Sequence, residues 1–135
     1  MKRECGFSLI ELLLSLIIMA LIAGYAIPHY QNFLIESRRM EAKQALEYLA
    51  LSLDHYYNQK QTYEGASLDQ LHISAYTKNK DYQLIISHAS NKTFSISAIP
   101  QGSQNHDTTC GQLSLDSYGN ESASGSSPKP QQDCW

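Results

Sequence analysis

The run "GFSLIELLLSLIIMALIAGYAIP", Gly6 to Pro28, limits this chain more than any other feature. From Phe7 to Ile27 it is almost wholly apolar, and Glu11 is its one charged residue. As a helix rising about 1.5 Å per residue it reaches roughly 31 Å, enough to cross a bilayer. A carboxylate in hydrocarbon costs roughly 2.5–3.5 kcal/mol on the insertion scale. Glu11 therefore needs a reason to be there. Lys2 and Arg3 precede the run. By the positive-inside rule the short end stays cytoplasmic and the rest crosses.

Three readings compete. In the first, the run is a secretory signal peptide cut near the small residues Gly24–Ala26, which would release a soluble exported binding protein. In the second it is a plain membrane anchor. Glu11 counts against both, since neither needs a carboxylate. In the third, the carboxylate meets a cation when helices pack side by side. A cut after Gly6 would free the α-amino group of Phe7, and a neighbouring copy of the helix could supply it.

The third reading leads to a family. The motif "G|FSLIEL", the short basic leader before it and the proline after it resemble the N-terminus of type IV pilins. Ser8 stands where threonine is common. The resemblance implies that residues 1–6 are a prepilin leader removed by prepilin peptidase after Gly6. It implies that Phe7 becomes the N-methylated N-terminus and that Glu11 is the assembly carboxylate. Residues 7–27 would then be a transmembrane helix that later forms the filament core. Residues 28–135 would be the periplasmic, later extracellular, globular domain. Many pilins carry a glycine eight residues before the helix proline, where the helix melts on assembly. Here that position is Ala20, and the nearest glycine is Gly24.

Past Pro28 the pattern becomes amphipathic. Phe33, Ala42, Ala45, Leu46, Leu49, Leu53 and Tyr56 recur at helical steps, with Glu36, Arg38, Arg39, Glu41, Lys43 and Glu47 between them. One long helix is expected over about residues 8–58, roughly 75 Å at 1.5 Å per residue. Pro28, lacking an N–H, is expected to kink it. Residues 58–74 are polar and read as a loop with a helical turn at Ser67–Leu71. "DYQLIIS" and "TFSISAI" alternate apolar and polar residues around a tight turn, the pattern of a hairpin. "GQLSLDS" adds a third strand ending at "YGN". The fold class expected is α+β: a long N-terminal helix, transmembrane in its first half, packed on a small antiparallel sheet.

Of the three cysteines, Cys5 falls in the leader. Cleavage after Gly6 would leave Cys110 and Cys134, either as a disulfide or as two unrelated thiols. The even count favours the bridge and an oxidising compartment. The tail from Asn120 to Gln132 has no periodicity and would be disordered alone. A bridge would close it into a loop of about 25 residues and contribute around 3 kcal/mol by the chain-entropy account. The stretch "CGQLSLDSYGN" and the final "CW" resemble minor pilins of the PilE type.

No catalytic signature is present, and the expectation is not an enzyme, with no cofactor and no metal. His29, His55, His72, His88 and His106 lack ligand spacing. Asp116, Asn120 and Glu121 read as a polar turn rather than a calcium loop. Tyr48, Tyr56 and Tyr57 are expected to pack on the sheet rather than stack on bases or sugars. The net charge of −3 gives no electrostatic case for nucleic acid as the main partner. A DNA-uptake pilin has only Lys78, Lys80 and Lys92 behind it, as a small basic patch or a solvated loop edge. The function expected is a structural subunit, a minor pilin of a type IV pilus, serving adhesion, twitching motility or DNA uptake. Its partners would be other pilin subunits, prepilin peptidase and an inner-membrane assembly platform. Within the fold the rival is a pseudopilin of a type II secretion system.

Overall fold

The computed structural model describes residues 8–135. The chain divides into two compact units, one ending at Leu34 and the other running Ile35–Trp135. Helix α1, Leu9–Lys60, contributes to both.

In the first unit α1 is apolar on all sides, and none of the described residues covers it. Leu9, Ile10, Leu12, Ile17, Met19 and Ile22 are among many large apolar side chains left exposed. A helix hydrophobic all round needs an apolar surrounding. Pro28 lies inside the helix. Phe33, expected in the buried stripe, is 64% exposed and belongs to this uncovered surface.

The second unit is built on a four-stranded antiparallel sheet in the order β1-β2-β3-β4. The strands are β1 (Tyr82–Ala89), β2 (Phe94–Pro100), β3 (Leu113–Asp116) and β4 (Glu121–Ala123). The register pairs Leu84 with Ala98 and Ile86 with Ile96. It continues through Ala98 with Leu113 and Ile96 with Leu115, so every apolar residue of the alternation falls on one face. Ala42, Leu46, Leu49 and Leu53 of α1 cover that face, all fully buried. Each buried leucine stabilises the unit by roughly 1.5–3 kcal/mol. The expected α+β arrangement, helix on antiparallel sheet, is the one found.

Four details differ from the sequence reading. The helix runs two residues further, because Gln61 adopts a left-handed φ of 59° and its N–H closes onto the Tyr57 carbonyl at 2.7 Å. That is a helix C-cap made without glycine. β1 extends to Ala89 through an irregularity between Ile86 and His88. The polar tail contributes a fourth strand, β4, whose Leu115–Glu121 and Leu113–Ala123 pairings come from β3. It also holds a short helix α2, Pro130–Asp133.

The fourth detail concerns the face of α1 read as wet. Arg38, Arg39, Glu41 and Lys43 are half-buried. Arg38 pairs with Asp81 at 3.3 Å, and Arg39 with Asp107 at 2.8 Å. Glu36 and Glu47 are exposed as expected, and the outward face also carries Met40, Tyr48 and Leu51, which are 52%, 63% and 68% exposed.

Candidate functional site

Among the residues singled out from sequence, Gly6 and Phe7 lie outside the described residues. Glu11 stands in the first turn of α1 and is exposed. Its N–H and that of Leu12 both reach the Ser8 carbonyl, at 3.0 and 3.2 Å. The carboxylate thus projects from an otherwise apolar cylinder.

Cys110 and Cys134 form a disulfide, with Cα atoms 5.5 Å apart and both residues fully buried. The tail it closes is ordered by far more than this bond. The Arg39 guanidinium donates twice to Asp107 Oδ2, at 2.8 and 3.1 Å, and once to the Asp133 carbonyl at 3.2 Å. The other Asp107 oxygen accepts the Cys110 N–H at 3.2 Å. One arginine of α1 therefore holds both ends of the disulfide region. The N–H groups of Gly125, Ser126 and Ser127 bond to the carbonyls of Cys110, Thr108 and Thr109. A Cβ on Gly125 would sit 2.2 Å from the Thr109 oxygen, so only glycine allows that approach. The Trp135 indole N–H donates to the Ser122 carbonyl at 3.0 Å, covering the β4 edge.

One end of the sheet gathers three turns. The turn between β1 and β2 carries Asn91 and Lys92, both exposed. The Ser90 carbonyl accepts the Tyr63 N–H at 3.2 Å, which brings in the segment just after Lys60. The Ser117 N–H donates to the Phe94 carbonyl at 3.1 Å, which brings in the turn between β3 and β4. At the tip of that turn Tyr118 is 78% exposed. Asp116 Oδ1 accepts the N–H groups of Tyr118 and Asn120, both at 2.9 Å, and Oδ2 accepts the Asn120 side chain. These bonds, chiefly the one from the Asn120 side chain, hold the Asp116 pKa below its usual value. All three donors come from the protein.

Beneath these turns Tyr63 is buried, stacked on Tyr57 at 4.7 Å and edge-on to Phe94 at 5.0 Å. Its hydroxyl donates to Asp54 Oδ1 at 2.9 Å. Burial first, then the Asp54 bond, push its pKa up to about 12. Of the three tyrosines expected against the sheet, Tyr57 packs on the core and Tyr56 is half-buried. Tyr48 does not pack there; its place on the opposite face of the helix turns it outward.

Lys78, Lys80 and Lys92, weighed as a small basic patch against a solvated loop edge, are not together. Lys78 and Lys80 precede β1, and Lys92 follows it. Seven strand steps at about 3.3 Å separate them by roughly 23 Å. Lys92 shares its end of the sheet with the segment around Lys60 and with Tyr118. Periodicity could not reveal that grouping, which depends on which turns the register brings side by side.

A family model described as "Type IV minor pilin ComP, DNA uptake sequence receptor" matches residues 28–114, well over half of the chain. The chain belongs to this family of type IV minor pilins. A second model, the prokaryotic N-terminal methylation motif, matches residues 1–27 of the pilin. Among solved structures, the Neisseria meningitidis non-core minor pilin PilV is similar, with a TM-score of 0.58 and 26% identity. That alignment covers 76% of this pilin and 94% of PilV. A type IV pilin from Shewanella oneidensis aligns with a TM-score of 0.51 and 27% identity, over 75% of this pilin and 97% of that one. A comparison with curated proteins finds no match. The minor pilin is a structural subunit, not an enzyme, and its partners include pilus subunits and prepilin peptidase. Its apolar N-terminal helix and methylation motif are those of a prepilin of the inner membrane that passes into a pilus.

Proposed function

We propose that this minor pilin is a DNA receptor of the pilus and that the turn-bearing end of the sheet is its contact surface. The match of residues 28–114 to the DNA uptake receptor family carries this reading. The geometry supports it through Lys92, Tyr118 and Asn91 on turns held in place by Tyr63 and Asp116, with Lys60 a few residues away along the chain. Lysines there would neutralise phosphates, and the exposed tyrosine and amides would meet sugar or base edges. With a net charge of −3 the whole molecule does not attract DNA. Binding then rests on this local group, and two lysines imply a shallow salt dependence, a slope of about −2 in log K against log salt.

For assembly, residues 1–6 are removed after Gly6, Phe7 is methylated, and Glu11 meets the Phe7 amine of an adjacent subunit. Pro28 kinks the helix where the membrane segment, 7–27, gives way to the exported domain, 28–135. Before assembly the N-terminus faces the cytoplasm and the domain faces the periplasm. An inner-membrane platform then carries the subunit into the filament.

The test of the DNA reading replaces Lys60 and Lys92 by alanine, alone and with Tyr118→Ala, in cells that keep their pili. Each lysine removed should lower the salt slope of DNA binding by about 1. The triple variant should lose most DNA uptake. Undiminished uptake in that variant, with the protein present in pili, would overturn the assignment of this surface.

A further inference from the structure

One flank of α1, from Tyr48 to Gln59, and the turn at residues 67–73 border an open cleft of about 430 Å³. That lies within the roughly 300–1,000 Å³ of small-molecule sites. Its reachable surface is largely aromatic, amide and imidazole. Tyr48 is 63% exposed, Tyr56 is half-buried, and His55, Gln59, Gln70 and His72 are exposed. The walls are held by the chain itself. The Tyr56 hydroxyl donates to the Glu64 carbonyl at 3.3 Å, and Gln59 Nε2 lies 2.9 Å from His55 Nε2. The N–H groups of Leu71, His72 and Ile73 close back onto the carbonyls of Ser67, Asp69 and Leu68. Within that turn His72 has a φ of 54°, the left-handed region that a residue with a Cβ seldom enters. Backbone strain of this kind gathers at ligand clamps.

Among the described residues, no aspartate, glutamate, lysine or arginine lines the cleft. A nucleotide would carry phosphate into a site with no such cation to neutralise it. A purely apolar ligand would strip water from amides and imidazoles and return no hydrogen bond. A neutral sugar satisfies both conditions. The C–H face of its ring can lie on a tyrosine, and its hydroxyls can both donate to and accept from glutamine amides and imidazole nitrogens. We propose that this cleft binds a short neutral saccharide, with Tyr48 and Tyr56 against its ring faces and His55, Gln59, Gln70 and His72 on its hydroxyls. Tyr48, which the core does not use, then supplies a stacking face. The proposal does not depend on the DNA reading.

The test uses the full chain, extracted from the membrane in a detergent without a sugar headgroup. Saturation-transfer NMR is run with maltose, lactose, cellobiose and N,N′-diacetylchitobiose. At least one of these should receive saturation on its ring C–H protons. Tyr48→Ala and Gln70→Ala should each weaken that binding at least fivefold, read from the sugar concentration at half-maximal transfer. Lys92→Ala with Tyr118→Ala should leave it unchanged, which separates the cleft from the DNA surface. Retention of the disulfide and of the protease pattern would show that the variants fold. Transfer to none of these sugars would overturn the proposal, as would unchanged binding in Tyr48→Ala. Displacement of the sugar by thymidine monophosphate at a lower concentration than by the same sugar unlabelled would overturn it in favour of a nucleotide.

Discussion

Arg39 and Asp107 show how much one buried pair organises. Their side chains are 13% and 2% exposed, and Asp107 also holds the Cys110 N–H. Removing one partner of such a pair costs about 3–5 kcal/mol, because the other charge is left buried. Arg39→Met should therefore lower the denaturant midpoint sharply. Arg39→Met combined with Asp107→Leu should recover part of the loss, measured by urea unfolding in detergent. Tyr63 gives the pH counterpart. Its folded pKa of about 12 lies above the unfolded value near 10. Folding therefore favours the protonated phenol. That contribution is fully present below about pH 10 and is lost as pH rises towards about 12. Tyrosinate absorbance and unfolding followed together should show it, and Tyr63→Phe should flatten the trend. Neither feature could be read from sequence. Arg39 lies 68 residues from Asp107, and its spacing on the helix matched a solvated face. Tyr63 sat in a segment read only as loop.

At the scale of elements, the long helix and three strands were legible because each has a period that burial enforces. Leu84, Ile86, Phe94 and Ile96 alternate, and Leu46, Leu49 and Leu53 recur at helical steps. β4 was not legible, because three residues, Glu-Ser-Ala, have no pattern and the strand exists only through its pairing with β3. The Cys110–Cys134 bridge was legible from cysteine count and family resemblance, but the hydrogen bonds that tie residues 125–127 to 108–110 were not. Those bonds change what breaking the disulfide should do. The bridge closes a loop with a sequence separation of 24, worth about 3 kcal/mol by chain entropy. Cys110→Ser should lower stability by about that amount and expose α2 and Trp135 to a nonspecific protease. β4 should stay protected through its pairing with β3. Digestion with and without reductant, mapped by mass, checks both halves of the expectation.

At the scale of the whole molecule, two of the surfaces left open among the described residues bear on function. The apolar cylinder of α1 before Leu34 answers to a membrane and then to other subunits, and Glu11 is its one anion. Glu11→Gln keeps shape and removes charge. It should leave processing and folding intact while reducing this protein in sheared pili and raising it in the inner membrane, as quantified by immunoblot. The other surface is the turn-bearing end of the sheet. Its distance from Lys78 and Lys80, roughly 23 Å along β1, has a consequence for the length of DNA engaged. At about 3.4 Å per base pair, a duplex lying along the hairpin and touching both groups would be shielded over about seven base pairs. A duplex held crosswise at the Lys92 end meets only the width of four strands. Three gaps of about 4.8 Å make roughly 14 Å, or about four base pairs. The proposed contact at Lys92 and Tyr118 predicts the shorter span, so a hydroxyl-radical footprint tests that proposal through the angle at which the DNA would be crossed.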